Sequence, residues 1–263
     1  MLLENKNAVV YGGGGAVGGA VARAFAREGA AVFLVGRTLA SLNRVAEDIA
    51  AEAGVAEVAQ VDALDEEAVD RHADAVAERA GSIDISFNAI GHQDVHGLPL
   101  VDMPFEDFAR PITIAMRTQF LTIRAAARHM IARGSGVIMT ITAATARQVI
   151  PDVGGTGVTF DAMESLCRQW ARELGPHGVR VAWLQTTGLP EGLHASVFPD
   201  YGTGSEGGMT REQLVAWLEG KTMLNRLTTL AEVGRAAAFT ASDQAGAITA
   251  AGVNLTCGSV PTR

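Results

Sequence analysis

Short apolar runs rich in β-branched residues alternate along this chain with longer segments whose apolar residues recur at helical spacing. Such alternation is typical of βαβ units, in which parallel strands form a sheet covered by helices on both faces. Runs such as VFLV and VIMTI are apolar throughout, as expected of strands with both faces buried. The pattern predicts an α/β fold with a doubly wound parallel sheet, whose strands lie at 7–11, 31–36, 55–61, 83–89, 136–142, 179–185 and 250–256.

One domain spanning residues 1–263 is expected, because no Pro/Ser-rich linker or run of charge divides the chain. With 263 residues, of which 48% are hydrophobic, the chain is long enough to bury a full core. The block 187–220 has no strand pattern and ends in a short helical stretch. Such a block is typical of a binding lid or of a mobile loop, and both interpretations stay open. The domain prediction places a substrate lid here.

The composition excludes several kinds of partner and site. A net charge of −8 argues against nucleic acid, because binding a phosphate backbone requires a basic surface. Cys167 and Cys257 lie far apart without metal-ligand spacing, so neither a disulfide framework nor a metal site is predicted. The first residues lack the pattern of a signal peptide, and no apolar run of about 18 residues occurs. We therefore expect a reduced, cytoplasmic protein without a membrane segment.

A glycine-rich loop, GGGGAVGG, joins the first predicted strand to the first predicted helix. Glycine allows a tight turn and a close backbone approach to a pyrophosphate, while the helix N-terminus supplies N–H donors and partial positive charge. A tight turn without a ligand is the alternative. The position of the loop at the start of a βαβ pattern favours dinucleotide binding. The residues predicted to contact the cofactor here are Gly12, Gly15, Ala16, Val17 and Gly18.

Further candidate cofactor contacts follow the ends of predicted strands. Arg37 follows the second strand, where an acidic residue would bind a ribose 2′-hydroxyl and an arginine can pair with a 2′-phosphate. NADP is therefore favoured over NAD, the alternative being a merely solvated Arg37. Asp62, with Ala63 beside it, could accept from an adenine amino group or cap the next helix. Asn88 and Ala89 end the fourth strand, where the amide could tie strands together or line the cofactor floor.

Taken together, these blocks resemble the short-chain dehydrogenase/reductase family over nearly the whole chain. The glycine loop is similar to the family's TGxxxGxG, with Tyr11 for Thr and Ala16 for the middle Gly, and NAIG resembles its NNAG. The text at 162–181 and the region from NRLTTLAEVG onward resemble the family too. The resemblance implies a Rossmann-type sheet of order 3-2-1-4-5-6-7 and an NAD(P)-dependent oxidoreductase. It also implies a homodimer or homotetramer formed through helices at 109–133 and 158–175.

The resemblance breaks down at the four residues with which the family performs catalysis, Asn, Ser, Tyr and Lys. In the family, Tyr moves the proton, Lys lowers the Tyr pKa and holds the nicotinamide ribose, and Ser orients the substrate carbonyl. The whole chain holds two tyrosines and two lysines, and no Tyr-x-x-x-Lys motif occurs. Matching the flanking blocks puts the four positions at Ala115, Ala143, Thr156 and Phe160.

Substitute catalytic residues are expected near the carboxyl ends of the strands. His92 follows the fourth strand, and an imidazole titrates near neutrality, which makes it the first candidate for the proton donor. Tyr201 in the lid block is a second donor candidate, and Thr142 could orient a substrate carbonyl. Thr187 could hydrogen-bond a carboxamide. The stretch GHQDVHG at 91–97 suggests a metal-ligand cluster, but a solvated loop is the favoured interpretation.

Three functions stay open on the sequence alone. The first is an NADPH-preferring oxidoreductase acting on a small molecule whose activated carbonyl or alkene stabilises its own anion. The second is a pseudoenzyme that binds a dinucleotide or only a partner subunit. The third is a non-redox lyase or isomerase on the same scaffold, with His92 and Asp94 as acid and base. Cofactor titration separates the first two, and product analysis without cofactor identifies the third.

Overall fold

The computed structural model describes residues 1–148, 150–192 and 210–261. Residue Tyr201, a predicted donor, lies outside the described residues. Strands and helices alternate in the order β1 (Asn7–Tyr11), α1 (Ala16–Arg27), β2 (Ala31–Gly36), α2 (Leu39–Ala51), β3 (Val55–Gln60), α3 (Glu66–Ala80), β4 (Ile85–Asn88), α4 (Phe105–Arg133), β5 (Gly136–Ala143), α5 (Thr145–Gln148), α6 (Thr156–Leu174), β6 (Val179–Thr186), α7 (Arg211–Glu219), α8 (Leu230–Ala241) and β7 (Ala251–Asn254).

The seven strands of the described ranges form one sheet in the order β3-β2-β1-β4-β5-β6-β7, and neighbouring strands are parallel. This arrangement confirms the predicted fold class and strand order. The sheet grows from β1 toward β2 on one side and continues at β4 on the other, so the winding reverses between β1 and β4. Tyr11 of β1 lies in register with Asn88 of β4. The carboxyl edge beside this pair is where open α/β sheets bind ligands.

Two buried apolar layers cover the faces of the sheet. One layer joins strand residues such as Val9 to α3, α4 and α6, and the other joins residues such as Val10 to α1, α2 and α8. Because successive side chains of a strand point to opposite faces, each strand contributes to both layers. This burial on both sides explains why the strand sequences are apolar throughout instead of alternating.

Strands β3, β4 and β7 are shorter than the sequence pattern predicts. Before β4, the Asp84 side chain accepts a hydrogen bond from the backbone N–H of Asn7 at 2.8 Å and from the Ser82 hydroxyl at 2.9 Å. At the end of β7, the Asn254 side chain accepts from the backbone N–H of Thr256 at 2.9 Å. Backbone hydrogen bonds continue beyond the strand bounds, because Ala89 N donates to Tyr11 O at 2.9 Å and Leu255 N donates to Gln185 O at 2.8 Å.

Helix starts are fixed by local hydrogen bonds that satisfy the first free N–H groups. The Asp65 side chain accepts from Ala68 N at the start of α3. Thr229 and Glu232 form a capping box at the start of α8. Among the helices of the described ranges, none combines the length and apolar character that crossing a bilayer requires.

Candidate active site

In the described part of the chain, a pair of cavities lies at the carboxyl edge of the sheet. The first has a volume of about 440 Å³ and lies over the ends of β1 and β2 and the segment after β3. The second has a volume of about 520 Å³ and lies among the ends of β5 and β6, the start of α6, and α7. Gly15, Ala89 and Gly91 line both cavities. The cavities therefore meet where α1 begins.

The glycine loop is pressed against the end of β4. Gly12 has a φ of +73°, and a Cβ atom there would lie 2.6 Å from the carbonyl oxygen of Ala89. The backbone N–H groups of Gly12 and Gly13 donate to Val35 O at 2.8 and 3.1 Å, which ties the loop to β2. A residue with a side chain would strain this turn and separate the loop from β4. Glycine at position 12 thus keeps the backbone close to both cavities.

The start of α1 faces the boundary between the cavities. Gly15, Ala16 and Val17 line the second cavity, and Gly15 also lines the first. No side chain of the described residues caps this helix at Gly15. The N–H groups of its first turn are therefore available to an anion such as a pyrophosphate. Gly18 is buried in the same turn and is not among the described residues that line either cavity.

Polar residues after β2 and β3 line the first cavity. Arg37 is exposed at its rim, and its backbone carbonyl accepts from the Gln60 side chain at 2.9 Å, which holds the segment after β2 against β3. Asp62 and Ala63 line the same cavity, and Asp62 Oδ1 accepts from Leu64 N at 3.0 Å. The cap of α3 is Asp65, so Asp62 does not have the capping role that was its alternative interpretation.

Asn88 is buried behind the cavities and holds the end of β4 in place. Its side-chain amide donates to the Thr122 hydroxyl of α4 at 3.0 Å, and its side-chain oxygen accepts from Ile90 N at 3.0 Å. Its carbonyl accepts from the Thr140 hydroxyl of β5. Asn88 thus shapes the backbone around Ala89, which lines both cavities, and is not itself among the described lining residues.

A hydrogen-bonded cluster of three polar residues lines the second cavity. The Thr156 hydroxyl donates to Asp94 Oδ1 at 3.0 Å, and His96 Nε2 lies 2.8 Å from the same hydroxyl oxygen. Thr156 is 6% exposed and is the first residue of α6. Asp94 and His96 belong to the loop that follows β4. An imidazole, a hydroxyl and a carboxylate, hydrogen-bonded in this order, can hold and move a proton.

The position of Thr156 is set by close backbone packing. A Cβ atom on Gly155 would lie 2.2 Å from the carbonyl oxygen of Phe108 in α4, so α6 can begin this near to α4 only after a glycine. The loop that carries His96 is tied to the same region, because Gly97 N donates to Asp152 O at 2.8 Å. Backbone contacts, not side-chain reach, therefore bring the loop after β4 to the start of α6.

The remaining walls of the second cavity are mainly apolar. Phe160 and Ala143, the positions that the resemblance assigns to the family's Lys and Ser, both line it. Thr187, predicted to contact a carboxamide, lines it as well. From the predicted lid block, α7 contributes two leucines, and the assignment of the whole block as a lid stays a prediction. The apolar lining residues include Val17, Ile150, Val153, Leu189, Leu214 and Leu218.

His92 lies beside this cavity, not in its described lining. It is 6% exposed, and its ring meets Phe160 edge-on with a centroid distance of 5.7 Å. Burial lowers the pKa of the imidazole below its usual value, and the nearby Asp94 carboxylate opposes that shift in part. A neutral ring packed on an aromatic side chain results. Its assignment as a proton donor stays a prediction.

Thr142 faces the interior instead of the cavity. Its hydroxyl donates to Glu164 Oε1 of α6 at 3.2 Å, and the Gln185 side chain donates to the same oxygen at 2.8 Å. Arg147 lies 3.6 Å from the other carboxylate oxygen. Thr142 thus belongs to a buried polar network that joins β5, β6 and α6. Its predicted contact with a substrate carbonyl stays a prediction.

Asp94 and His96 were recognisable in the sequence as polar residues after β4, but their contact with Thr156 was not. The available signal was a polar residue at position 156 together with the GHQDVHG stretch at the same edge of the sheet. The partners lie 60 and 62 residues apart in sequence, so no local pattern could reveal the hydrogen bonds. Within the described ranges, no group of three His, Cys, Asp or Glu residues is arranged to hold a metal ion.

Comparisons with known proteins relate most of the chain to reductases and dehydrogenases. A family model described as Enoyl-(Acyl carrier protein) reductase matches residues 14–259. Gluconate 5-dehydrogenase from Gluconobacter oxydans (strain 621H) is 30% identical over 240 residues, which are 91% of this chain and 89% of that protein. The family match thus covers the glycine loop from Gly14 onward and the whole of α6.

Solved structures share the fold. NAD+-bound xylitol dehydrogenase has a TM-score of 0.89 at 24% identity, covering 98% of this chain and 100% of the other. A 7α-hydroxysteroid dehydrogenase complexed with NADH and 7-oxo glycochenodeoxycholic acid has a TM-score of 0.85 at 25% identity, covering 99% of this chain and 96% of the other. Dinucleotides are therefore bound by proteins of this fold.

Proposed function

The chain belongs to the short-chain dehydrogenase/reductase family, and we propose that it is an NADPH-preferring oxidoreductase with a non-standard active site. One observation carries the proposal: two cavities meet at the uncapped start of α1 and share Gly15, Ala89 and Gly91. A dinucleotide placed across this junction would have its adenosine half in the first cavity and its nicotinamide half in the second. When bound, the nicotinamide supplies the hydride.

The preference for NADPH is supported by charge at the rim of the first cavity. Arg37 directly follows β2, at the position where an acidic residue would instead bind a ribose 2′-hydroxyl. The guanidinium of Arg37 can pair with a ribose 2′-phosphate. Ser41 lines the cavity beside it, and its hydroxyl donates to Thr38 O at 2.9 Å. Asp62 and Ala63 lie near enough in the same lining to receive the adenine.

The proposed substrate is a small, largely apolar molecule with an activated carbonyl or a conjugated alkene. The second cavity places apolar walls around a few polar groups, which suits a ring or short chain with one reacting oxygen. Phe160 also provides no cation that could stabilise a phenolate or an alkoxide. A substrate that delocalises its own negative charge, such as an enone or a quinone, is therefore favoured.

The same proposal includes assembly as a homodimer or homotetramer through α4 and α6. Phe120 of α4 is 44% exposed, and its ring meets that of Trp170 of α6 with a centroid distance of 5.7 Å. Arg124 lies over the Phe120 ring. Exposed aromatic residues with an arginine are typical of the buried centre of protein interfaces.

Calorimetric titration with NADPH, NADP, NADH and NAD tests the cofactor proposal. Wild-type protein should bind NADPH more tightly than NADH. Arg37→Ala should weaken NADPH binding by about 10-fold to 100-fold, as expected for a lost charge-assisted hydrogen bond. It should change NADH binding little, because NADH has no 2′-phosphate.

The matched control is Arg71→Ala, which removes an exposed arginine from α3 that pairs along its own helix with Glu67. This variant should bind both nucleotides like the wild type. Failure of the wild type to bind any of the four nucleotides would refute the proposed function. An equal loss of NADPH affinity in Arg37→Ala and Arg71→Ala would refute only the proposed role of Arg37.

A second candidate is a dinucleotide-binding protein without turnover. Phe160 favours it, because the position that the resemblance assigns to the ribose-holding lysine carries an aromatic ring packed on buried His92. NADPH binding without hydride transfer to any substrate from a panel of enones, quinones and diketones would select this candidate. Hydride transfer to one of them would select the oxidoreductase.

A further inference from the structure

We infer that Asp94, His96 and Thr156 together form the proton-donating group of the second cavity, with the Thr156 hydroxyl passing on a proton supplied by His96. The inference rests on the proposed oxidoreductase function, because a reduced nicotinamide must deliver the hydride. All three residues line the second cavity. They are thus placed to touch a substrate there, unlike the buried His92 and Thr142.

The two hydrogen bonds define a direction for the proton. The Thr156 hydroxyl has a single hydrogen, which it donates to Asp94 Oδ1 at 3.0 Å. The contact of 2.8 Å between its oxygen and His96 Nε2 therefore requires the hydrogen to lie on the imidazole nitrogen. The chain runs from imidazole N–H through hydroxyl to carboxylate. Rotation of the hydroxyl alone turns its hydrogen from Asp94 toward a substrate oxygen.

The reaction balances without another reagent. A bound reduced nicotinamide would supply the hydride for the new C–H bond, and the electron pair of the substrate's π bond would move onto the substrate oxygen. The O–H bond of Thr156 breaks as that oxygen takes the proton. The Nε2–H bond of the His96 imidazolium breaks at the same time and restores the hydroxyl. Neutral His96 then takes a proton from water.

Each residue supplies something that the others lack. An aliphatic hydroxyl is too weak an acid to give up its hydrogen without replacement, whereas an imidazole titrates near neutrality. The carboxylate of Asp94 accepts from the hydroxyl and orients it. Asp152, whose carbonyl accepts from Gly97, adds a second acidic residue on the loop before α6. Thr156 itself is held by the close contact of Gly155 with α4.

The first test is free of turnover. The ring nitrogens of His96 are followed by ¹⁵N NMR in the full-length protein, with the signal assigned by its loss in His96→Gln. In the wild type, we expect hydrogen on Nε2 and an Nε2 signal whose pH dependence shifts in Thr156→Val. Thr156→Ser should keep the wild-type pH dependence. Thr159→Val is the matched control, since Thr159 is a buried threonine of α6 whose hydroxyl donates back to Gly155 O at 2.9 Å.

The second test is kinetic and uses NADPH with 2-cyclohexen-1-one, menadione and diacetyl. Thr156→Val should lower kcat by about 100-fold or more, the usual size of a general-acid contribution, while the NADPH Kd stays within about twofold. Thr156→Ser and Thr159→Val should retain activity. In the wild type kcat should fall as the pH rises, and this dependence should disappear in His96→Gln and Thr156→Val.

The outcomes separate this inference from the proposed function. Wild-type kcat and pH profile in Thr156→Val, or a His96 titration unchanged by that substitution, would overturn the proton relay while leaving NADPH binding intact. Binding of NADPH without turnover in the wild type would also overturn it. Absence of NADPH binding in calorimetry would instead refute the proposed function. Selective loss in Thr156→Val with rescue by Thr156→Ser would establish the relay.

Discussion

Replacing His72 with glutamine should remove a defined part of the acid sensitivity of this protein. His72 lies in α3, where its ring meets Tyr11 edge-on at a centroid distance of 6.5 Å beneath the first cavity. Burial, with the charge of Arg79 as a smaller cause, lowers the pKa of His72 from 6.5 to about 4. Its Nδ1 atom is buried and has no hydrogen-bond partner among the described residues. The folded protein therefore holds this imidazole in its neutral form.

The size of the effect follows from the two pKa values. Below about pH 6.5 the unfolded chain takes up a proton at His72, whereas the folded chain does so only near pH 4. The contribution of neutral His72 to the free energy of unfolding is thus complete above pH 6.5 and is lost as the pH falls toward 4. The gap between the two pKa values corresponds to at most about 3 kcal/mol, of which about 2 kcal/mol is lost by pH 5.

Urea denaturation at a fixed protein concentration measures this loss, at about pH 7.5 and about pH 5. Between these conditions the unfolding free energy of the wild type should fall by about 2 kcal/mol more than that of His72→Gln. His177→Gln, which changes an exposed histidine in the turn before β6, should keep the wild-type pH dependence. An equal fall in the wild type and in His72→Gln would refute the argument.

Three further substitutions test other contacts, the first two by urea denaturation and the third by light scattering. Glu232→Gln should lower the free energy of unfolding by about 1 kcal/mol above about pH 4.5, because the hydrogen bond from Arg226 lowers the pKa of the Glu232 carboxyl to about 2. This difference between the wild type and the variant should vanish as the pH falls toward 2. Asn88→Ala should lower the free energy of unfolding by about 1–3 kcal/mol, because the buried Thr122 hydroxyl oxygen would lose the hydrogen bond that it accepts from Asn88. Phe120→Glu should shift the protein to a smaller species, and an unchanged mass would contradict the proposed interface.

The positions of the strands could be predicted from the sequence pattern because the information that fixes them is local, whereas the strand order was implied by the family resemblance. Each strand is a short apolar run bounded by a helix pattern, and right-handed crossovers restrict how such units join. The glycine loop could also be placed, since its position between β1 and α1 is visible in the sequence. Gly12 lies against Ala89 as a close backbone approach requires. These features need only the identity of neighbouring residues.

The direction of side chains at the carboxyl edge could not be predicted in the same way. Successive strand residues point to opposite faces, so a shift of one residue changes what a side chain contacts. Ala143 lines the second cavity, whereas Thr142 beside it turns to Glu164. His92 likewise turns to Phe160, while Asp94 and His96 reach Thr156. These choices depend on packing between segments far apart in sequence.

The close contact of Gly155 with α4 fixes the backbone at the start of α6 independently of the side chains that line the cavity. The carbonyl of Phe108 leaves no room for a Cβ atom at position 155, whichever reaction the protein performs. The backbone therefore holds position 156, the first residue of α6, in the same place whichever side chain it carries. A fold with this contact can accept a different proton-donating side chain at position 156 without a change in its backbone. A different side chain at such a point changes the chemical group that is presented and leaves the surrounding backbone unchanged.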